Sequence, residues 1–161
     1  MRVKLPRLLD AGMKEKARLH PVSPVEIVLN AEPPSTASLT ISKADAAVKI
    51  RDWIELYTKD GSAGIYRVTG VEESYDGEQV WITLEHGIVA LGDAVIIGEG
   101  TFTGSLDGLM EPLLSHQVTK VNGQPLWRIG STVATKYVRR DYQNPNLLSE
   151  LRDSIRLFAS R

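Results

Sequence analysis

Cysteine is absent from this chain. Thiol nucleophiles, disulfide staples and every zinc site built on thiolates are thereby excluded, and the composition fits synthesis in a reducing cytoplasm. Long apolar runs are missing too. Nowhere do about 18 uninterrupted apolar residues occur, so no membrane-spanning helix and no membrane anchor are predicted. The first 20 residues lack the apolar stretch of a secretory leader, because Asp10, Lys14, Glu15 and Lys16 interrupt them. An excess of charge is also lacking: 19 Lys and Arg face 20 Asp and Glu, for a net charge of −1 and a pI near 6.3. Such a balance carries no footprint for nucleic acid or an anionic membrane. No internal repeat and no low-complexity tract is found.

What is there belongs to an ordinary folded protein. With 161 residues, 42% hydrophobic and 24% charged, the chain has enough material for one domain, or one and a fraction, around a genuine core. Residues 1–20 show no clear period. Pro21 and Pro24 frame a turn before a short strand, VEIVLN (25–30). Pro33 and Pro34 exclude a helix or central strand, and a strand resumes over 38–42, followed by a polar connection over 43–49. The strongest β signal comes next, in DWIELYT (52–58), IYRVTGVEESY (65–75) and EQVWITLEH (78–86), with KDGSAG as a Gly-rich turn. Asp76-Gly77 predicts a two-residue type I′ hairpin loop. That register sets Val71 opposite Ile82 and Glu73 opposite Val80, with Val71, Val80, Ile82 and Leu84 on one face and Trp81 and Thr83 on the other. A meander with one buried face closes into a barrel or is covered.

AVIIG (94–98) reads as a further short or edge strand, and GEGTFTGS as punctuation at a boundary near residue 100. Beyond it the period becomes helical: Leu106, Leu109, Met110, Leu113 and Leu114, with Ser105 as N-cap and Gly108 and Pro112 weakening or bending the helix. PLWRIGSTVATKYVRRDY (125–142) returns to β character. A second helix carries Leu147, Leu148, Leu151, Ile155 and Phe158 as one stripe, capped by Asn144 or Asn146. The fold class predicted is α+β and β-rich: an antiparallel barrel-like sheet over 1–100, then a partial α/β subdomain over 101–161.

Candidate chemistry is sparse. Glu85-His86 ends a strand, where such a pair serves as ligand and supporting shell or as an acid/base couple. Neighbours on a strand point to opposite faces, however, and His20, His86 and His116 form no metal-binding spacing. TGSLDG (103–108) lacks the strand-to-helix geometry and second glycine of a nucleophile elbow. GEGTFTG has no phosphate-loop Lys-Ser/Thr. Glu72-Glu73 reads as solvated, and YVRRDY (137–142) is a weak basic patch beside two tyrosines. No catalytic, cofactor-binding or metal-ligating residue is predicted, and no cofactor. A binding or assembly module is the expected class.

The order AEPPSTASLTIS, IRDWIELYTKDGSAGIYRVTGVEESYD, ITLEHGIVALGDAVIIG, then LDGLMEPLLSHQ…LWRIG and YQNPNLLSELRDSIRLF resembles the N-terminal region of phage and prophage tail-tip (baseplate hub) proteins. The resemblance covers almost the whole chain. It implies a virion structural protein at the tail tip, made in the bacterial host cytoplasm. It implies tail tube, distal tail and tape-measure proteins as partners, and a homotrimer in the complete hub with two barrels per subunit continuing the tube. No specific nucleic acid and no membrane partner is implied. The second barrel and any peptidoglycan-cleaving region have no counterpart here, so the chain is expected to be a fragment or a short relative completed by another protein. The alternatives are a tail-associated cell-wall hydrolase or endopeptidase, and a receptor- or carbohydrate-binding module, for which Trp53, Trp81 and Trp127 would have to form a platform.

Overall fold

The computed structural model describes residues 4–30, 35–45, 47–130 and 137–159, in two compact units, Met1–Gly87 and Ile88–Arg161. Pro33 and Pro34 lie outside the described residues.

The first unit is a seven-stranded antiparallel sheet. Its strands are β1 (Arg7–Leu9), β2 (Glu15–Arg18), β3 (Glu26–Val28), β4 (Thr36–Ser42), β5 (Trp53–Thr58), β6 (Gly61–Glu73) and β7 (Gln79–His86), in the order β2-β1-β5-β6-β7-β4-β3. The alternation read from the sequence decides which face is buried. Ala37, Leu39 and Ile41 of β4, Ile54 and Leu56 of β5, Tyr66 and Val68 of β6, and Val80, Ile82 and Leu84 of β7 join Leu8 and Leu19 in one core cluster. The opposite side of β4 is a row of hydroxyls, Thr36, Ser38, Thr40 and Ser42, as period-two alternation requires.

The hairpin register is the predicted one, with Val71 opposite Ile82 and Glu73 opposite Val80. The loop differs. A type I′ turn needs positive φ at two residues, and only Gly77 has it, at φ 72°. Gly77 N–H donates to Ser74 C=O and Ser74 N–H to Gln79 C=O, both at 2.9 Å, so four residues, Tyr75 to Glu78, form the loop. Both loops have the same parity, which is why the register holds. Upstream, Val68 faces Leu84 while Gly70 faces Thr83, so Thr69 is an extra residue. This bulge lets both Val68 and Val71 turn toward the core.

No continuous ladder closes the sheet into a barrel among the described residues. A single bridge, Pro21 to Ile41, and the bond from Val22 N–H to Thr40 C=O at 2.8 Å tie the chain after β2 to β4. β1 and β2 had no legible period because each is short. Antiparallel pairing of β1 with β5, Leu8 opposite Ile54, holds them in place.

The second unit contains β8 (Glu99–Gly104), α1 (Leu106–Ser115), the small pair β9 (Lys120–Val121) and β10 (Gln124–Pro125), β11 (Val138–Gln143) and α2 (Leu147–Ala159). Leu109, Leu113, Leu147 and Leu151 centre its core. Ser105 caps α1 as expected, accepting from Gly108 N–H, and Pro112 sits inside the helix. Asn146 caps α2, its Oδ1 accepting from Ser149 N–H at 3.3 Å. The stripe of α2 is only partly buried, since Ile155 is 47% exposed; the Phe158 side chain lies outside the described residues.

Two expectations are corrected here. AVIIG is not a strand: Ala94 and Ile96 are buried while Val95 and Ile97 are exposed, yet among the described residues its only bridge is Val95 to Asn146. A 3₁₀ helix (Gly87–Asp93) precedes it and Gly98, at φ 112°, turns the chain after it, and no ladder partner is found among the described residues. EGTFTG (99–104) is the strand instead, paired antiparallel with β11 from Glu99–Gln143 to Gly104–Val138. The division between units accordingly falls at Gly87 and Ile88, and the segment between it and residue 100 belongs with the helices.

Candidate functional site

Glu85 and His86 stand at the end of β7, a strand paired on both sides, and the ladder sends them opposite ways. Glu85 lies across from Arg67 of β6 and Thr36 of β4, on the hydroxyl-bearing face. His86 turns to the core side, where its ring meets Tyr66 edge to face at 5.5 Å between centroids. A Cβ on Gly64 would lie 3.3 Å from His86 Nε2, so a glycine there makes room for the imidazole. Burial pushes the His86 pKa below its usual value. The neutral ring is therefore the form that this pocket accommodates.

The other candidates are equally separated. His20 is exposed, and His116 is the exposed C-cap of α1. Among the described residues no group of three or more His, Asp or Glu could hold a metal ion. Glu72 and Glu73 are exposed, and Glu73 pairs with Lys43 at 2.6 Å. The TGSLDG segment does run from strand to helix, against expectation, but Ser105 commits its hydroxyl oxygen to the α1 cap. In YVRRDY the arginines diverge. Arg139 pairs with Asp141 at 3.4 Å on the solvent side, while Arg140 turns to α2. No cationic patch results.

Trp53 is 5% exposed and Trp81 53%, and Trp127 is half-buried. Trp81 alone stands on the outer face of the sheet, flanked by Thr40 and Glu72. A depression of about 560 Å³ is lined chiefly by Leu5, Pro6, Pro21, Val25, Ile27 and Leu56, with Lys4 and Tyr57 as its ionisable groups. It holds neither a carboxylate nor a histidine for acid/base work.

Two polar clusters escaped the sequence reading. Glu150 is 2% exposed. It accepts from Arg140 Nε at 2.7 Å and Nη2 at 3.0 Å, and from the Ser154 hydroxyl at 3.2 Å. The signal was present: Glu150 and Ser154 follow Leu147 by three and seven residues, on the buried side of the helix. Gln117, also buried, donates to Leu114 C=O and Trp127 C=O and accepts from Trp127 N–H. It clasps the segment around Trp127 to the end of α1. Both clusters stabilise structure, and Gln117 and Trp127 also line an open depression of about 350 Å³ beside Glu111, Arg128 and Ile129.

No family model matches the chain, and no curated protein matches it. Among solved structures it is similar to the prophage tail protein gp18 from Listeria monocytogenes EGD-e, with a TM-score of 0.65 and 14% sequence identity. The match covers 94% of this chain and 45% of that one, so the chain spans less than half the length of the protein it matches. At that identity the likeness is one of fold, and it extends over both units: this chain has the fold of part of a prophage tail protein.

Proposed function

We propose that this chain is a structural component of a phage or prophage tail, and that its place is the baseplate hub at the tail tip, where it closes the tail tube. The similarity of fold across 94% of the chain carries the tail reading. Its placement in the hub is supported by the resemblance of segment order to tail-tip proteins. The first unit supplies one barrel-like body to the ring, with the Pro21–Ile41 bridge as the beginning of its closure. The complete hub is a homotrimer contacting tail tube, distal tail and tape-measure proteins. Alone, the chain is a monomer or a weak oligomer, since ring closure needs surfaces that one such body does not supply.

Particles from the encoding phage or prophage test this reading. An epitope-tagged chain should co-purify with tails, decorate only the tip in immunogold micrographs, and follow three-fold symmetry. Labelling along the whole tube would make it a tube protein. A cell-wall-degrading activity lost in folded Glu85→Ala and His86→Ala variants would replace the reading with a tail hydrolase.

A further inference from the structure

One hairpin that escaped the sequence reading closes β9 onto β10 in the second unit. Its loop is Asn122–Gly123, with φ of 51° and 78°, and Val121 lies opposite Gln124. Positive φ at both central residues makes this a type I′ turn, which Asn-Gly favours. Both loop residues are exposed. The hairpin is thinly held. Each strand has two residues, and Pro125 has no N–H to give to a ladder. Beyond the Val121–Gln124 pair, Leu126 N–H reaches Thr119 C=O at 3.3 Å. Gln117 then holds Trp127, accepting from its N–H and donating to its C=O, both at 2.8 Å. A two-stranded hairpin is marginally stable by itself, so the clasp at Gln117 anchors it.

Asparagine is a thermolabile residue, because the next backbone nitrogen can attack its side-chain amide carbon. A glycine next in line favours the attack, having no Cβ to crowd it. Of the four asparagines, Asn122 is the one followed by glycine. Asn144 precedes Pro145, which has no N–H to deprotonate. Leu147, after Asn146, commits its N–H to Ala94 C=O at 2.9 Å. Asn30 precedes an alanine, whose Cβ crowds the attacking nitrogen. At Gly123 an added Cβ would meet nothing within 4 Å. The tip of the turn is open to water and base.

We propose that Asn122–Gly123 is a site of spontaneous deamidation, held shut by the native turn and opened when the β9–β10 hairpin frays. A type I′ turn sets ψ of its first central residue to about +30°. At that angle the Gly123 nitrogen lies nearly opposite Cβ across the Cα–C bond of Asn122. Ring closure needs the two on the same side, so the folded turn does not react. Once the hairpin opens, base removes the Gly123 N–H proton and the nitrogen attacks Cγ of Asn122. The N–Cγ bond forms, the Cγ–Nδ2 bond breaks, and ammonia leaves with a proton regained from the conjugate acid. Water then opens the five-membered succinimide at either carbonyl, giving aspartate or isoaspartate. Isoaspartate routes the main chain through Cγ and lengthens it by one carbon. The two-residue loop then no longer sets Val121 opposite Gln124. Ammonia is lost to solvent, so asparagine is not restored, and the modified fraction records the time the hairpin has spent open.

The purified chain, incubated at pH 8 with and without unfolding urea, tests this independently of the tail reading. Trypsin cuts after Lys120 and Arg128 and releases residues 121–128. Chromatography with mass spectrometry separates the asparagine, aspartate and isoaspartate forms of that peptide. Conversion in the native chain should be at least tenfold slower than in urea, because only the open fraction reacts. Gln117→Ala, checked for its fold by circular dichroism, should raise the native rate at least threefold and leave the rate in urea unchanged. Wild type in urea below its global transition gives a second readout that needs no variant: conversion should rise before the circular dichroism signal moves. Equal rates in the native and unfolded chain overturn the proposal, as does the absence of isoaspartate from the unfolded chain. A native rate that climbs only with the global transition overturns it too, since the site would then open by unfolding and not by fraying of this hairpin. An unchanged native rate in folded Gln117→Ala does the same.

Discussion

The Tyr66 ring and the His86 imidazole meet at 82°, centroids 5.5 Å apart, with Tyr66 1% exposed. The imidazole is thus part of the core's end wall, and burial lowers its pKa. The unfolded chain protonates this residue near its ordinary value of about 6.5, whereas the folded chain holds out to lower pH. Between those values the unfolded state binds more protons, so stability rises with pH. The contribution is complete above about pH 6.5 and is lost as pH falls through that value toward the folded pKa. Urea midpoints should therefore be lower at pH 5.5 than at pH 7.5, and His86→Phe should reduce the difference. Tryptophan fluorescence in a Trp127→Phe background restricts the signal to Trp53 and Trp81 of the first unit.

Adjacent residues on β7 should respond very differently to truncation. Ile82 is 1% exposed and Trp81 53%. Ile82→Ala leaves a cavity and should cost about 3 kcal/mol, against about 1 kcal/mol or less for Trp81→Ala. Denaturant unfolding of the two variants measures both. Similar costs would mean that the face assignment of the sheet is wrong.

Two glycines matter for opposite reasons. Gly77 has φ 72°, and an alanine methyl there would have nothing within 4 Å, so Gly77→Ala meets backbone strain alone and should cost about 1 kcal/mol. At Gly100 the added Cβ would sit 2.6 Å from the Tyr142 hydroxyl oxygen and 2.7 Å from its ring. Gly100→Ala should cost about 2 kcal/mol by overpacking, and Gly100→Ala with Tyr142→Ala should cost less than the sum of the singles. Thermal melts of the four variants check this.

The Arg140–Glu150 pair should be costly to break and cheap to replace. Removing Arg140 leaves the buried Glu150 carboxylate without its cation, so Arg140→Ala should lose about 3 kcal/mol, whereas Glu150→Ala should cost less because the guanidinium keeps Asp153 at 3.5 Å. The paired change Arg140→Met with Glu150→Leu should recover most of that loss, because it removes two desolvation penalties together. Urea unfolding followed through Trp127 reports it.

The central meander was legible because several signals agreed there: aromatic and β-branched residues, strict alternation, and Asp-Gly at the turn. The register from Val71–Ile82 to Glu73–Val80 followed from parity alone. β8 was not legible, because Gly98, Gly100 and Gly104 read as breakers. Two of them are glycine so that rings can lie over the strand: Tyr142 against Gly100 and Phe102 against Gly104. Packing between distant segments overrode a local signal. The same holds at Glu150, whose charge signalled an exposed position while its helical phase placed it inside. At Glu85 and His86 the spacing alone spoke against a catalytic couple, and the structure adds the geometry: the two leave β7 on opposite faces.

The order of strands in the first unit also sets a timetable. β4 finds its long ladder only with β7, Thr36–Glu85 through Ser42–Gln79, and β1 docks on β5. On a ribosome adding about 5–20 residues per second, β1 through β4 leave the exit tunnel seconds before these partners exist. Leu8, Leu19, Leu39 and Ile41, all 2% exposed or less in the finished fold, wait uncovered during that interval. The nascent chain is consequently most exposed to chaperone capture and misassociation just before β7 emerges. Slowing translation between β4 and β7 should raise the aggregated fraction, whereas slowing it after Gly87 should not.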